Sequence, residues 1–175
     1  MQRFWMVIFL LVSFTFGCQS SGETDQVEQA EKKPKPLYVS YEKFDDIAPL
    51  FNKNNDTTYV INFWATWCKP CVEELPYFED LYAAYSDKKV KIILVSLDFP
   101  NQIESKFIPF LEERQLGPDI ALLLDGDANT WIDRVNPEWG GAIPVTLVYK
   151  NEASTFHSTQ FASFDELEEI VKEIL

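Results

Sequence analysis

Two cysteines stand two residues apart at the end of the run Tyr59-Val60-Ile61-Asn62-Phe63-Trp64-Ala65-Thr66-Trp67-Cys68-Lys69-Pro70-Cys71. Sulfur pairs at that spacing are suited to thiol–disulfide exchange, in which a thiolate attacks a disulfide through a mixed intermediate. The residues before Cys68 are apolar, β-branched and aromatic, the composition of a buried strand, and a helical pattern starts at Lys69. Cys68 therefore falls at the amino end of a helix, where free N–H groups and the macrodipole favour a thiolate. Such settings, with a cation such as Lys69 nearby, lower a thiol pKa from about 8.5 to roughly 3.5–7.5. We expect Cys68 to be an exposed nucleophile. Cys71, one turn on and set deeper, can close a disulfide with Cys68 or resolve a mixed one.

Stepping outward, the amino terminus has its own pattern. Arg3 precedes an uninterrupted apolar stretch, Phe4–Phe16, followed by Gly17-Cys18 and the polar Gln19-Ser20-Ser21-Gly22-Glu23. The apolar stretch has the length of a signal-peptide core and falls short of the about 20 residues a spanning helix needs. Residues 1–18 resemble a bacterial lipoprotein signal, which implies cleavage before Cys18 and a diacylglycerol on its sulfur. Thr15 and Phe16 depart from that pattern, so plain secretion and a retained anchor stay open. All three routes export the domain to an oxidising compartment, facing the periplasm in the cell envelope. With Cys18 carrying the acyl chain, Cys68 and Cys71 are the thiols of the folded part. Residues 19–36, ending in Lys32-Lys33-Pro34-Lys35-Pro36, read as a disordered tether. The folded domain is expected over 37–175.

Composition bounds the partners. The 175 residues suit one domain plus appendages, and 46% apolar residues, with 14 Phe and 5 Trp, suffice for a packed core. Three cysteines are too few for a disulfide-stapled scaffold. A net charge of −13 argues against nucleic acid, whose phosphates need Lys and Arg.

The elements that must hold the cysteines can be read from periodicity. Leu37–Ser40 reads as an edge strand, with Ser40 capping a helix whose Phe44, Ile47, Ala48 and Phe51 share a face. Thr57–Trp64 is the strand that delivers the cysteines, and the helix after Cys68 carries an internal Pro76 that kinks it. Val90–Leu97, near-continuously apolar, reads as a central parallel strand. Ile103–Leu116 is helical, bent or shortened at Pro109, and Ile120–Leu124 is a further buried strand. After an irregular connection, Asp125–Trp139, the segments Ile143–Lys150 and Ser154–Gln160 form a hairpin. Ser163-Phe164-Asp165-Glu166 has capping-box spacing and opens the last helix. The sum is a three-layer α/β/α sandwich with an added amino-terminal strand and helix.

Residues 59–85 and 140–150 resemble the thioredoxin superfamily, and within it the exported ResA/TlpA-like branch. Trp67-Cys68-Lys69-Pro70-Cys71 is similar to the redox motif, and Pro76 to the family's helix-kinking proline. Ile143-Pro144-Val145-Thr146, after Gly140-Gly141, is similar to the cis-proline loop opposite the cysteines. Glu74 matches a glutamate of ResA-like members. The resemblance implies a redox disulfide Cys68–Cys71, and substrate contact through Trp67, Pro70, Ile143 and Pro144. Asn62 occupies the place of thioredoxin's buried carboxylate, which leaves Glu74, one turn past Cys71, to take the proton that Cys71 must lose.

The resemblance further implies a disulfide-bearing protein substrate, a transmembrane thiol electron donor, a membrane contact through the lipid, and no cofactor. We expect reduction of protein disulfides. Two other readings compete. Cys68 and Cys71 could capture Cu(I) as soft thiolates, though no Met or His stands near them in sequence. A thiol peroxidase would need a Thr-x-x-Cys site, whereas Thr66 stands two before Cys68. Asp125-Gly126-Asp127-Ala128-Asn129 begins like a calcium loop, but its glycine is misplaced and Asn136 stands where a closing Glu belongs. His157 is the sole histidine, which excludes a His-rich metal set.

Overall fold

The computed structural model describes residues 35–175, and in them six strands make one mixed sheet. The strands are β1 (Val39–Tyr41), β2 (Thr58–Trp64), β3 (Val90–Ser96), β4 (Asp119–Leu123), β5 (Val145–Lys150) and β6 (Ala153–His157). Their spatial order is β1-β4-β3-β2-β5-β6. β1, β4, β3 and β2 are parallel, β5 runs against them, and β6, antiparallel to β5, returns to their direction. The helices are α1 (Phe44–Ile47), α2 (Lys69–Ala84), α3 (Ile108–Arg114), α4 (Ile132–Val135) and α5 (Phe164–Ile174).

Connection handedness explains the layers. The steps β2 to β3 and β3 to β4 move in one direction across the sheet, so right-handed crossovers put α2 and α3 on the same face. The step from β1 back to β2 runs the other way and puts α1 on the opposite face. The two cores follow suit. Leu75, Phe78, Leu81, Phe107, Leu111, Leu167 and Val171 pack with Val60 and Trp64 on one side. Phe44, Ile47, Trp131 and Trp139 pack with Tyr59, Ile61 and Phe63 on the other.

That alternation along β2 fixes more than packing. Successive side chains of a strand point to opposite faces, so Asn62, between Val60 and Trp64, faces the α2 layer. Its register partner on β5 is Thr146, a second polar residue on that face. The second core is rich in aromatic pairs, with Phe44 stacked on Trp131 at 5.2 Å and Phe63 against Trp139 at 4.6 Å.

Several local expectations need correction. Ser40 lies within β1 rather than at a helix start, and the cap position of α1 is Lys43, which makes no side-chain cap bond. The helix then tightens to a 3₁₀ turn over Ala48–Phe51, with Pro49 at its start. The helix expected over Ile103–Leu116 is a π turn, Ile103–Phe107, followed by α3. Pro109 has no N–H to donate into the preceding turn, which accounts for the break there. At the last helix Ser163 accepts from the Glu166 N–H at 3.3 Å, and Glu166 in return accepts from the Ala162 N–H at 2.7 Å.

The described residues begin at Lys35, within the stretch read from sequence as a tether. The Lys35 ammonium donates to the carbonyls of Gly117 and Pro118 and pairs with Asp119 at 2.9 Å. It sits at the start of β4, the sheet end away from the cysteines. The signal expected over 1–18, lipidated Cys18 and most of the tether lie outside the described residues. No helix among the described residues is long and apolar enough to cross a membrane.

Candidate active site

β2 delivers its last residue, Trp64, beside Ser96 of β3, and its neighbour Phe63 pairs with Val145 at the start of β5. One end of the sheet thus gathers the exit of β2, the exit of β3 and the entrance to β5. The turn Ala65–Cys68 bridges β2 to α2, closed by the Cys68 N–H donating to the Ala65 carbonyl at 3.1 Å.

Cys68 is the N-cap residue of α2. Its Sγ accepts from the Cys71 N–H at 3.3 Å, as a capping oxygen would. Pro70, in the first turn, has no N–H to leave unpaired. Cys68 and Cys71 are joined by a disulfide, with Cα atoms 5.3 Å apart. Cys71 is fully buried and Cys68 is 6% accessible. Cys68 is therefore not the exposed residue expected from sequence. The bond to Cys71 turns its sulfur inward, and the Ile143 carbonyl oxygen stands 3.7 Å away. It is still the more accessible cysteine of the two.

The Ile143–Pro144 peptide bond is cis. Gly141 reaches this loop through φ +88°, a left-handed conformation that a side chain would disfavour. The Trp139 indole N–H then clamps the loop by donating to the Ala142 carbonyl at 2.7 Å. Ile143 and Pro144 are thereby set against Cys68 on the β5 side.

Glu74 lies one turn beyond Cys71 and is fully buried. Its Oε1 accepts from the Asn62 side-chain amide at 2.9 Å, and its Oε2 from the Phe161 N–H at 2.9 Å. The same Asn62 amide donates to Thr146 Oγ1 at 3.0 Å. Burial pushes the Glu74 carboxyl up to about 7, against the downward pull of the Phe161 and Asn62 hydrogen bonds. A group poised there can hold or release a proton near neutrality. Lys69 extends into solvent and pairs with Glu73 at 3.4 Å, so its charge is partly balanced away from the sulfur.

Three residues at this end of the sheet were not singled out from sequence. Asp98, just past β3, is buried and receives the Thr66 N–H at 3.0 Å, the Thr66 hydroxyl, and the Ser96 hydroxyl at 2.8 Å. Next to it Phe99 stacks on Trp67, ring centroids 5.5 Å apart. Phe161 contributes only a backbone N–H, which no side-chain pattern announces. A polar Ser-x-Asp at the exit of an apolar strand was the one available hint. Trp67 is half exposed beside the cysteines, whereas Trp64 is buried under Phe110. Asp125 is a turn carboxylate accepting the Phe44 N–H at 3.0 Å, and His157 stacks on Phe161. Among the described residues no group of three or more His, Cys, Asp or Glu could hold a metal ion.

The model of the AhpC/TSA family matches residues 48–154. The thiol-disulfide oxidoreductase ResA of Oceanobacillus iheyensis is 53% identical over 49 residues, covering 28% of this chain and 26% of the relative. ResA of Geobacillus thermodenitrificans is 34% identical over 93 residues, covering 52% of this chain and 48% of the relative. The matched stretches thus span from about a quarter to about half of these relatives. A solved structure of a secreted Mycobacterium tuberculosis disulfide oxidoreductase homologous to E. coli DsbE aligns with TM-score 0.51 and 25% identity. It covers 67% of this chain and 82% of that one.

Proposed function

The chain belongs to the AhpC/TSA family and has a thioredoxin-like fold, and on that premise we propose that it is a thiol–disulfide oxidoreductase of ResA type, exported, membrane-tethered, and acting to reduce protein disulfides. The observation that carries this reading is the placement of Cys68 as the cap of α2, with Cys71 and Glu74 buried behind it.

In the reduced protein the Cys68 thiolate attacks a substrate disulfide. One Cys68–substrate S–S bond forms, the substrate S–S bond breaks, and the first substrate sulfur leaves as a thiolate that takes a proton from water. Glu74 accepts the Cys71 proton, directly or through water. The Cys71 thiolate then attacks Cys68 Sγ, forms the Cys68–Cys71 disulfide and expels the second substrate sulfur. Two electrons have passed to the substrate, and a thiol donor, across the membrane in this reading, must return them. Ile143, opposite Cys68, offers its backbone to an extended substrate segment, and Pro144 keeps an N–H away from the sulfurs.

Pairing of Lys69 with Glu73 supports the reducing direction, because a free cation beside Cys68 would favour the reduced form and an oxidant's potential. A Cys71→Ser variant should trap substrate as a mixed disulfide through Cys68. Stronger trapping by Cys68→Ser would reverse the two roles. A reduction potential near −120 mV, rather than about −270 mV, would overturn the reducing direction. Labelled fatty acid on Cys18, lost in Cys18→Ser, tests the tether.

A further inference from the structure

Trp67 and Phe99 are large aromatic side chains left 47% and 51% exposed beside the nucleophile. Their rings lie 5.5 Å apart with planes within 13°, so each covers one face of the other and both keep an outward surface. They come from different strand exits, β2 and β3. The residues next to them are stitched together: Asp98 binds the backbone and hydroxyl of Thr66, and the Leu97 N–H donates to the Trp64 carbonyl at 2.8 Å. The pair is thus a shelf held from beneath rather than two free side chains. β2 lies between β3 and β5, so Cys68 has the shelf on its β3 side and Ile143–Pro144 on its β5 side.

We propose that Trp67 and Phe99 form a specificity shelf that receives an apolar side chain flanking the cysteine of the substrate disulfide, with Phe99 as its selective half. The inference rests on the oxidoreductase reading, since the occupant is the segment whose sulfur Cys68 attacks. A segment paired to Ile143 is held within reach of Cys68, and a side chain on its β3 side meets aromatic surface instead of water. The shelf is already ordered, so little conformational freedom is lost on docking. A polar neighbour gains nothing there, since the Asp98 oxygens are already engaged by Thr66 and Ser96.

The test uses two synthetic disulfide peptides that differ only in Leu or Ser beside the first cysteine. Each is mixed with prereduced protein, and single-turnover reduction is followed by acid quench, alkylation and mass. Wild type should reduce the Leu peptide about tenfold faster. Phe99→Ser should bring the ratio towards one, and Phe99→Leu should keep most of it, with thermal unfolding of both variants checked against wild type. Equal wild-type rates on the two peptides overturn the shelf while leaving the oxidoreductase reading intact. So does a Phe99→Ser variant that slows both peptides alike, because Phe99 would then only support Trp67. A reduced wild type that transfers electrons to neither peptide sinks the shelf and the enzymatic reading together.

Discussion

Two buried carboxylates flank the Cys68 turn, and their surroundings differ in kind. Asp98 is bound by the Thr66 N–H and hydroxyl from the turn before α2 and by the Ser96 hydroxyl at the end of its own strand. The two Thr66 bonds fasten the exit of β3 to the turn that carries Cys68, and the Ser96 bond orients the carboxylate. Glu74 draws two donors from distant elements, the Asn62 amide on β2 and the Phe161 N–H after β6. Those two bonds do not offset its burial, and its carboxyl rises to about 7. Two carboxylates buried at one end of a sheet thus serve differently. The Thr66 bonds to Asp98 splice the exit of β3 to the Cys68 turn, whereas Glu74, whose donors do not offset its burial, can change charge near neutrality.

The contrast can be broken in order of expected size. Asp98→Ala strips an acceptor from three buried donors and should destabilise the protein by about 4 kcal/mol in urea titrations, with Asp98→Asn milder. A loss below about 1 kcal/mol would remove the splice. Next comes stability against pH. Glu74 holds its proton more tightly folded than unfolded, so its contribution is complete below the unfolded value of 4.5 and fades as pH rises through about 7. Wild type should lose up to about 3 kcal/mol over that window relative to Glu74→Gln, measured on the oxidised forms. Parallel curves for the two proteins would mean that Glu74 does not titrate there.

Kinetics supply the third comparison. Glu74→Gln should slow resolution of a preformed mixed disulfide by about a hundredfold at pH 7, through loss of the proton acceptor for Cys71. An unchanged resolution rate would assign the proton to water. The smallest effect is Asn62→Ala, which removes one downward pull on Glu74. The Glu74 carboxyl should then titrate above its wild-type value by NMR, at a net hydrogen-bond cost of about 1 kcal/mol. A downward move would contradict the role given to the Asn62 amide.

Much of the fold was legible because its signals are local. The apolar run before Cys68 became β2, the run Val90–Leu97 became β3, and the Ser163 cap opened α5, each from residues within a few positions of one another. What failed was non-local in cause. Ser40 looked like a helix cap but was drawn into β1 by pairing with Leu122 of β4, a partner no window could contain. At the site, the two cysteines, Glu74 and the Ile143–Pro144 loop were identifiable from spacing and resemblance. Asp98, Phe99 and the Phe161 N–H were not, since their importance comes from residues 32 to 87 positions away.

The sequence by itself determined that a sulfur pair would begin a helix at the end of a buried strand, because dihedral preference, periodicity and capping are written in neighbouring residues. Only the tertiary structure decided which carboxylate would sit near neutrality. That depends on how much water is removed from Glu74 and on how little the two donors from β2 and the loop after β6 return to it, a balance that exists nowhere along the chain until the sheet has closed around it.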